Sequence, residues 1–307
     1  MQDLSIIVVS YNTRDLLRAC LRSAFEGLEP SGLRGEVWVV DNASSDGSAD
    51  MARAEFPLAR VIANAENRGF AAANNQAIAE SDARHVMLLN SDAEVRGDAL
   101  GELVRALDAR PRVGAVGARL VYADGSFQHS AFRFPGFAQI LLDFFPLHHR
   151  LLDSRLNGRY PRRLYAGTQP FPVDHPLGAA LMARSEAIRQ VGPLDGGFFM
   201  YCEEIDWCWR MHKAGWDVLC VPAAEVMHHG AGTTRKFREE MFVALWRSRF
   251  RLYEKHRGPR YTAWVRSWVR FLMRVDGIRI RRRLARGEVA EDEARVLLSG
   301  YARVAAL

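Results

Sequence analysis

The order of apolar runs between Leu4 and Val121 constrains this chain more than any other feature, because strand-like and helix-like segments alternate there. Leu4–Ser10 (LSIIVVS) is a continuous apolar run, and Asn12 and Thr13 then offer caps for a helix. That helix sets Leu16, Cys20 and Ala24 on one side and Arg14, Arg18 and Arg22 on another. Residues 37–40 form a second buried strand, followed by the turn-rich DNASSDGS and a helix to about Phe56. A strand at Arg60–Ala63, a helix through 71–79, a strand at 85–89, a helix near 98–110 and a strand at Val113–Val121 complete the series. Apolar strands alternating with amphipathic helices predict an α/β fold whose mainly parallel sheet is covered on both faces. In such sheets ligands bind beyond the carboxyl ends of the strands. Asn12, the pair Asp41 and Asn42, and the triplet Asn90-Ser91-Asp92 all fall at those ends.

The remainder is organised differently. Residues 122–173 are rich in aromatics, Arg, Pro and Gly without clear periodicity, and read as long loops and short helices. Regular structure resumes at 176–184, with a helix at 203–214 and two strands at 216–221 and 225–229. From about Phe237 the chain reads as helical to its end. The expected division is an α/β domain over 1–235 and a basic helical extension over 236–307.

With 307 residues, 49% apolar and 25% charged, the composition is that of a globular protein and excludes disordered and collagen-like classes. The four cysteines form no CxxC pair, as expected of reduced thiols in a cytosolic compartment. No secretory signal is expected at the N-terminus, and no apolar run reaches the roughly 18–20 residues a membrane span requires. The net charge of +6 is carried almost wholly by arginine, since only Lys213, Lys236 and Lys255 are lysines. Anion recognition and genome base composition both produce that bias.

Four blocks, taken in order, resemble the inverting family-2 glycosyltransferases of the GT-A fold, and in particular their rhamnosyltransferase-like members. They are SIIVVSYN with VWVVDNASSDGS; NRGFAAANNQAI; MLLNSDAEV; and GAALMARSEAIRQVGPLDGGFFMYCEEIDWCWRMHKAGW with the later HHGAGT. The resemblance covers roughly 4–235. It implies a Rossmann-like nucleotide-diphospho-sugar transferase sheet, a nucleotide-sugar donor and a divalent cation, Mg²⁺ or Mn²⁺.

The chemistry of a sugar nucleotide gives these residues their candidate roles. A nucleoside and a diphosphate need a hydrogen-bonding clamp and charge neutralisation. Asp41 can accept from a pyrimidine N–H or ribose hydroxyls, the role the resemblance implies; turn or helix capping is the alternative. Asn12, Asn67, Arg68, Asn90 and Ser91 are further donor-binding candidates, with Arg68 either a phosphate contact or a solvated loop arginine. Asn90-Ser91-Asp92 stands where the family carries an Asp-x-Asp motif, so here Asp92 alone is a charged cation ligand. His228, in His228-His229-Gly230, is the second candidate metal ligand, with packing as the alternative. The resemblance assigns the general base to Glu204, and Glu203 and Asp206 are candidates for orienting the acceptor, or else favourable acids in a helix's first turn. The surrounding Trp207, Trp209 and Phe199 favour a raised carboxylate pKa. Small residues near Gly178 suit a close approach of the chain to sugar or acceptor. Thr233, Thr234 and Arg235 are candidates for a loop over the phosphates.

Beyond Phe237, Trp246, Phe250, Trp264, Trp268, Phe271 and Ile278 recur among arginines. This pattern suits an amphipathic helix in an anionic headgroup layer, a helix packed on the catalytic domain, or a homodimer seam. No nucleic-acid reader motif accompanies it. The resulting expectation is an inverting hexosyltransferase at the inner face of a bacterial plasma membrane. It moves a sugar, with dTDP-rhamnose the favoured donor, to a lipid-linked glycan of the cell surface. The alternatives are another sugar from a UDP donor and a non-catalytic membrane-surface module. A nucleotidyltransferase is disfavoured, because Ser10-Tyr-Asn-Thr-Arg14 lacks a glycine-rich basic loop.

Overall fold

The computed structural model describes residues 2–144, 149–230 and 238–307; the proposed phosphate-covering residues Thr233, Thr234 and Arg235, and the 235/236 boundary, lie outside them. The first half contains β1 (Leu4–Ser10), α1 (Arg14–Ser31), β2 (Gly35–Asp41), α2 (Ser48–Glu55), β3 (Arg60–Ala63), α3 (Phe70–Glu80) and β4 (His85–Asn90). Next come β5 (Ala93–Val95), α4 (Ala99–Asp108) and β6 (Val113–Val121). The aromatic middle holds β7 (Phe127–Gln128), β8 (Ala131–Phe132), α5 (Phe137–Phe144), α6 (His149–Leu152), α7 (Arg162–Tyr165), β9 (Phe171–Pro172) and β10 (His175–Pro176). Then follow β11 (Ala180–Arg184), α8 (Ser185–Val191), α9 (Glu203–Lys213), β12 (Asp217–His228), α10 (Arg238–Arg257), α11 (Pro259–Ala285) and α12 (Glu291–Ala305).

Among the described residues the main sheet has ten strands, with the path β3-β2-β1-β4-β11-β6-β12-β5. β1, β2, β3 and β4 pair in parallel, as do β6 and β12, while β11 runs antiparallel to both β4 and β6. The pleat sends alternate residues of each strand to opposite faces. Ile6, Val8, Val37, Val39, Met87 and Leu89 meet α1 and α4 on one side. Ile7, Trp38, Val40, Val86 and Leu88 meet α3 and α9 on the other, around the fully buried Trp207. Each buried aliphatic side chain contributes about 1.5–3 kcal/mol.

Three details differ from the sequence reading. The buried face of α1 is centred on Leu17, Cys20, Leu21 and Ala24, with Leu16 only at its margin. The two strands expected at 216–221 and 225–229 are one strand, β12, whose register shifts between Val221 and Glu225. A bulge there accommodates Pro222, which lacks a ladder donor. Thr13 occupies the N-cap of α1 but makes no side-chain cap bond; its hydroxyl bonds Ser10 Oγ at 3.1 Å and Ser91 Oγ at 3.0 Å instead.

The chain divides into two compact units. One comprises Met1–Phe134, Arg159–Phe199 and Glu203–Thr233 and contains the main sheet. The other combines Pro135–Gly158, Met200–Cys202 and Thr234–Leu307, so it takes in segments well before residue 236. Its core joins Ile140 and Phe144 of α5 to Trp246, Phe250 and Tyr253 of α10 and to Val265, Val269 and Leu272 of α11. No helix among the described residues is long and apolar enough to cross a membrane.

Candidate active site

The carboxyl ends of β2, β1 and β4 lie in one row: Ser10 is in register with Asp41, and Val9 with Asn90. Polar links tie this row together. Ser10, Thr13 and Ser91 form a hydroxyl chain across the ends of β1 and β4. The Asn90 N–H donates to Ala179 O at 2.9 Å, which brings Gly178 beside the sheet edge. Glu204 lies against Gly178: a Cβ on that glycine would stand 3.5 Å from Glu204 Cβ and Cγ. Asp41, Asp92 and Glu204, far apart in sequence, are thus brought to the same end of the sheet.

Asp41 is 3% exposed. Its Oδ2 accepts from the Ser44 N–H at 2.9 Å, and its buried Oδ1 has no partner among the described residues. The carboxylate therefore performs a turn role with one oxygen and leaves the other, among the described residues, without a donor. A buried acceptor without a donor is costly by roughly 1–3 kcal/mol, which a ligand N–H or O–H can offset.

The flanking asparagines act largely on the loops themselves. Asn12 holds a left-handed conformation, and its Oδ1 accepts from the Ser45 N–H at 2.8 Å. Asn67 Oδ1 accepts from Asn42 Nδ2 at 3.0 Å and from the Gly69 N–H at 2.9 Å. Asn42 Oδ1 accepts from Asn64 Nδ2 and the Arg68 N–H, and Asn64 in turn pairs reciprocally with Gln76. The Arg68 guanidinium is exposed and makes no hydrogen bond or ion pair among the described residues. Asn90 is half-buried at the tip of β4, and Ser91 is buried behind it.

Asp92 and His228 are brought face to face because β5 pairs with the end of β12, with Ala93 opposite His228. His228 Nε2 stands 3.3 Å from Asp92 Oδ1, and His228 Nδ1 stands 3.2 Å from Gln128 Oε1. With both ring nitrogens protonated, His228 donates to Gln128 and to Asp92 at once; with Nδ1–H alone, Nε2 and the Asp92 carboxylate would together offer a divalent ion one N and one O donor. Burial pushes the Asp92 carboxyl up, but the hydrogen bond and charge of His228 outweigh it and hold the net value below the usual range. No cluster of three or more His, Cys, Asp or Glu side chains suited to a metal occurs among the described residues, so further ligands would come from substrate and water. The neighbouring His229 faces Glu94 at 3.4 Å.

Glu203 and Glu204 open α9, directly after Tyr201 and Cys202, both at φ 68°. Two successive left-handed non-glycine residues store backbone strain of the kind that accumulates at functional sites. Glu204 is 9% exposed, and burial raises its carboxyl to about 7, against the opposing pull of the backbone N–H groups of Glu204, Ile205 and Gly178. Burial and then the charge of Glu204 push Glu203 well above the usual range. One oxygen of each, Oε2, is buried without a partner among the described residues. Asp206 has no exposed surface, and its Oδ2 accepts from Arg210 Nε at 2.8 Å. Arg210 in turn donates to the carbonyls of Val191, Gly192 and Pro193, so Asp206 bears on the site through the loop that Arg210 grips.

Sequence reasoning missed Gln128, which orients His228, and Asn75, which clamps Leu194 through both its carbonyl and its N–H. Gln128 sits on a two-residue strand within an aperiodic stretch and gives no local signal. Asn75 on a helix was visible, but its partner 119 residues away was not.

This mixed sheet, with helices on both faces and buried carboxylates at the carboxyl ends of its strands, is the GT-A architecture of glycosyltransferases. Solved structures with the same fold include the mannosyltransferase PcManGT from Pyrobaculum calidifontis in complex with GDP-Man and Mn²⁺. It matches at a TM-score of 0.61 and 16% identity over 99% of this chain and 85% of its own. GalNAc-T7 with UDP, GalNAc and Mn²⁺ matches at a TM-score of 0.54 and 16% identity over 74% of this chain, which spans 44% of that larger one. The chain belongs to glycosyltransferase family 2, whose model, Glycosyl transferase family 2, matches residues 5–190. The N-acetylglucosaminyl-diphospho-decaprenol L-rhamnosyltransferase of Mycobacterium tuberculosis is 30% identical over 78% of this chain and 79% of its own length. The rhamnosyltransferase WbbL of Escherichia coli K12 is 24% identical over 82% and 93%.

Proposed function

We propose that this glycosyltransferase transfers a sugar, with inversion, from a nucleoside-diphosphate donor to a lipid-linked acceptor in cell-surface glycan synthesis, working at the inner face of the bacterial plasma membrane. The favoured donor is dTDP-rhamnose, a reading supported by the two rhamnosyltransferase relatives. The observation that carries the reaction type is the buried Glu204, its carboxyl at about 7, on the sheet edge that also bears Asp41 and Asp92.

Asp41 Oδ1 accepts from the nucleoside, and Arg68 reaches the diphosphate from its loop. Asp92 and His228 would hold a divalent cation, Mg²⁺ or Mn²⁺, which would supply charge neutralisation for the departing diphosphate. Glu204 takes the proton of the acceptor hydroxyl as its oxygen bonds the anomeric carbon from the face opposite the diphosphate. The old C–O bond breaks with its electron pair leaving on the β-phosphate. Glu203, protonated beside Glu204, retains a hydrogen-bond donor for the acceptor. Asp206 keeps Arg210, and with it the 191–193 loop, in position.

Purified protein incubated with a panel of nucleotide sugars, Mg²⁺ or Mn²⁺ and a polyprenyl-diphosphate-linked sugar tests the proposal. The expected result is product of inverted anomeric configuration from dTDP-rhamnose, lost on chelation. Turnover only with a UDP-sugar would replace the donor assignment, and full turnover by Asp92→Ala would remove the cation role.

A further inference from the structure

We propose that the outward face of α11 is a docking surface for an anionic lipid bilayer, and that the protein sits on the membrane through it. The helix has two sides. Val265, Val269, Leu272, Met273 and Ile280 are buried in the helical unit, whereas Trp264, Trp268, Phe271 and Ile278 are exposed by 43%, 37%, 54% and 49%. Spaced by four, three and seven residues, these four form one stripe along the helix. Trp264, Ser267, Trp268 and Phe271 line an open groove of about 460 Å³, with Phe137 of α5 against Trp264 at a ring separation of 4.4 Å. An exposed run of large aromatics is an unusual feature on a protein surface and marks an interaction site.

The charge around the stripe identifies the partner. At 100° per residue, Arg270, Arg274 and Arg281 flank it on one side, Arg279 lies on the other, and Arg260 and Arg282 stand on it near its two ends. Arg260, Arg274, Arg281 and Arg282 make no ion pair among the described residues. The only acidic residue of α11 is Asp276, and it lies off this face, accepting from the Tyr301 hydroxyl at 2.7 Å. A protein partner would need acidic groups around an apolar centre, and a second copy of this face would set arginine against arginine. A headgroup layer with anionic phosphates supplies negative charge at the rim and acyl chains beneath, where indole rings partition best. With no helix of the described residues able to span a bilayer, attachment here is lateral. The inference is independent of the sugar-transfer reaction, since it uses none of its residues.

Flotation of the full-length protein tests it. Vesicles of phosphatidylcholine with phosphatidylglycerol should carry the protein to the top of the gradient, those of phosphatidylcholine alone should not, and high salt should release it. Arg274→Glu/Arg281→Glu/Arg282→Glu should weaken binding about 10²-fold or more. Trp264→Ser/Trp268→Ser/Phe271→Ser should abolish it and also remove the blue shift of tryptophan fluorescence on mixing with vesicles. The three arginine positions are exposed, so that variant should melt with the wild type, while the aromatic variant, which gives up the packing of Phe137 on Trp264 and Trp268, should melt lower but cooperatively. Equal binding to neutral vesicles, or undiminished binding by either folded variant, would overturn the proposal. A wild type dimeric by light scattering whose aromatic variant is monomeric would make the face a subunit seam and overturn it equally.

Discussion

At Glu204, burial raises the carboxyl to about 7, a value suited to the base of the proposed reaction, and works against the fold. A general base acts only when ionised, so turnover should rise with pH through about 7, the value to which burial lifts this group. For stability the sign is reversed. The folded value lies above the unfolded one, so the contribution is fully present below about pH 4.5, the ordinary glutamate value, and is lost as pH rises through about 7. Glu204→Gln keeps the shape and removes the charge. It should lower kcat by about 10²–10⁴-fold with little change in donor affinity. The same variant should melt higher than wild type at about pH 8 and alike near pH 4. Rate measurements on a donor titration and paired thermal melts check both halves. A variant with wild-type turnover would remove Glu204 from the base role.

At the scale of elements, the loop 191–199 is fastened from two sides, and this fastening holds α9 in place. Asn75 on α3 makes a reciprocal pair with Leu194, at 2.8 and 3.0 Å, while Trp207 and Arg210 on α9 hold the carbonyls of 191–193. Phe199 O accepts from the Phe70 N–H at 2.8 Å, and Gly69, at φ 80°, leaves no room there: a Cβ would come within 2.4 Å of Phe199 O. Asn75→Ala removes two hydrogen bonds of about 1 kcal/mol each. It should lower kcat more than it raises the donor KM, since the loop and not the nucleotide loses its anchor. Gly69→Ala must displace either the 64–69 loop or Phe199, and should cost about 1–3 kcal/mol by chemical denaturation. Neither device was legible in the chain. Strands β1, β2, β3, β4 and β6 were, because uninterrupted apolar runs between turn residues carry their own signal. The two-residue strands β7 to β10 have no room for a period, and the continuity of β12 across Pro222 is set by its partner β6 rather than by its own residues. The asparagine ladder of 42, 64 and 67 with Gln76 is likewise a set of tertiary pairings, between ordinary loop asparagines and one glutamine of α3.

For the whole molecule, the decisive quantity is which distant side chains come to the same end of the sheet, and sheet order sets that. β1 lies between β2 and β4, so Asp41 and Asp92 reach the same edge across one strand. β11, antiparallel to β4, brings Gly178 and through it Glu204 to that edge from another direction. Asp41 and Asp92 stood out in the sequence as polar interruptions at strand ends, whereas Glu204, in a helix's first turn, was picked out by the resemblance to family 2, which also implied the roles of all three. The Asp92–His228 contact depends on the β5–β12 pairing, and the orphan oxygen of Asp41 on how Ser44 uses the other one. Energetic coupling can therefore map the site. Asp92 and His228 are 3.3 Å apart and would hold one ion, so Asp92→Ala and His228→Ala should be strongly non-additive, the double variant scarcely worse than either single one, with a coupling of about 1–3 kcal/mol in kcat/KM. Asp41→Ala addresses the nucleoside and Glu204→Gln the acceptor proton, with no contact between them, and these two should combine additively within about 0.5 kcal/mol. Measuring kcat/KM for the four single and two double variants decides the matter. Additivity at Asp92 and His228 would mean that no shared ion joins them, and large coupling between Asp41 and Glu204 would mean that the nucleoside and acceptor ends of the site do not act separately.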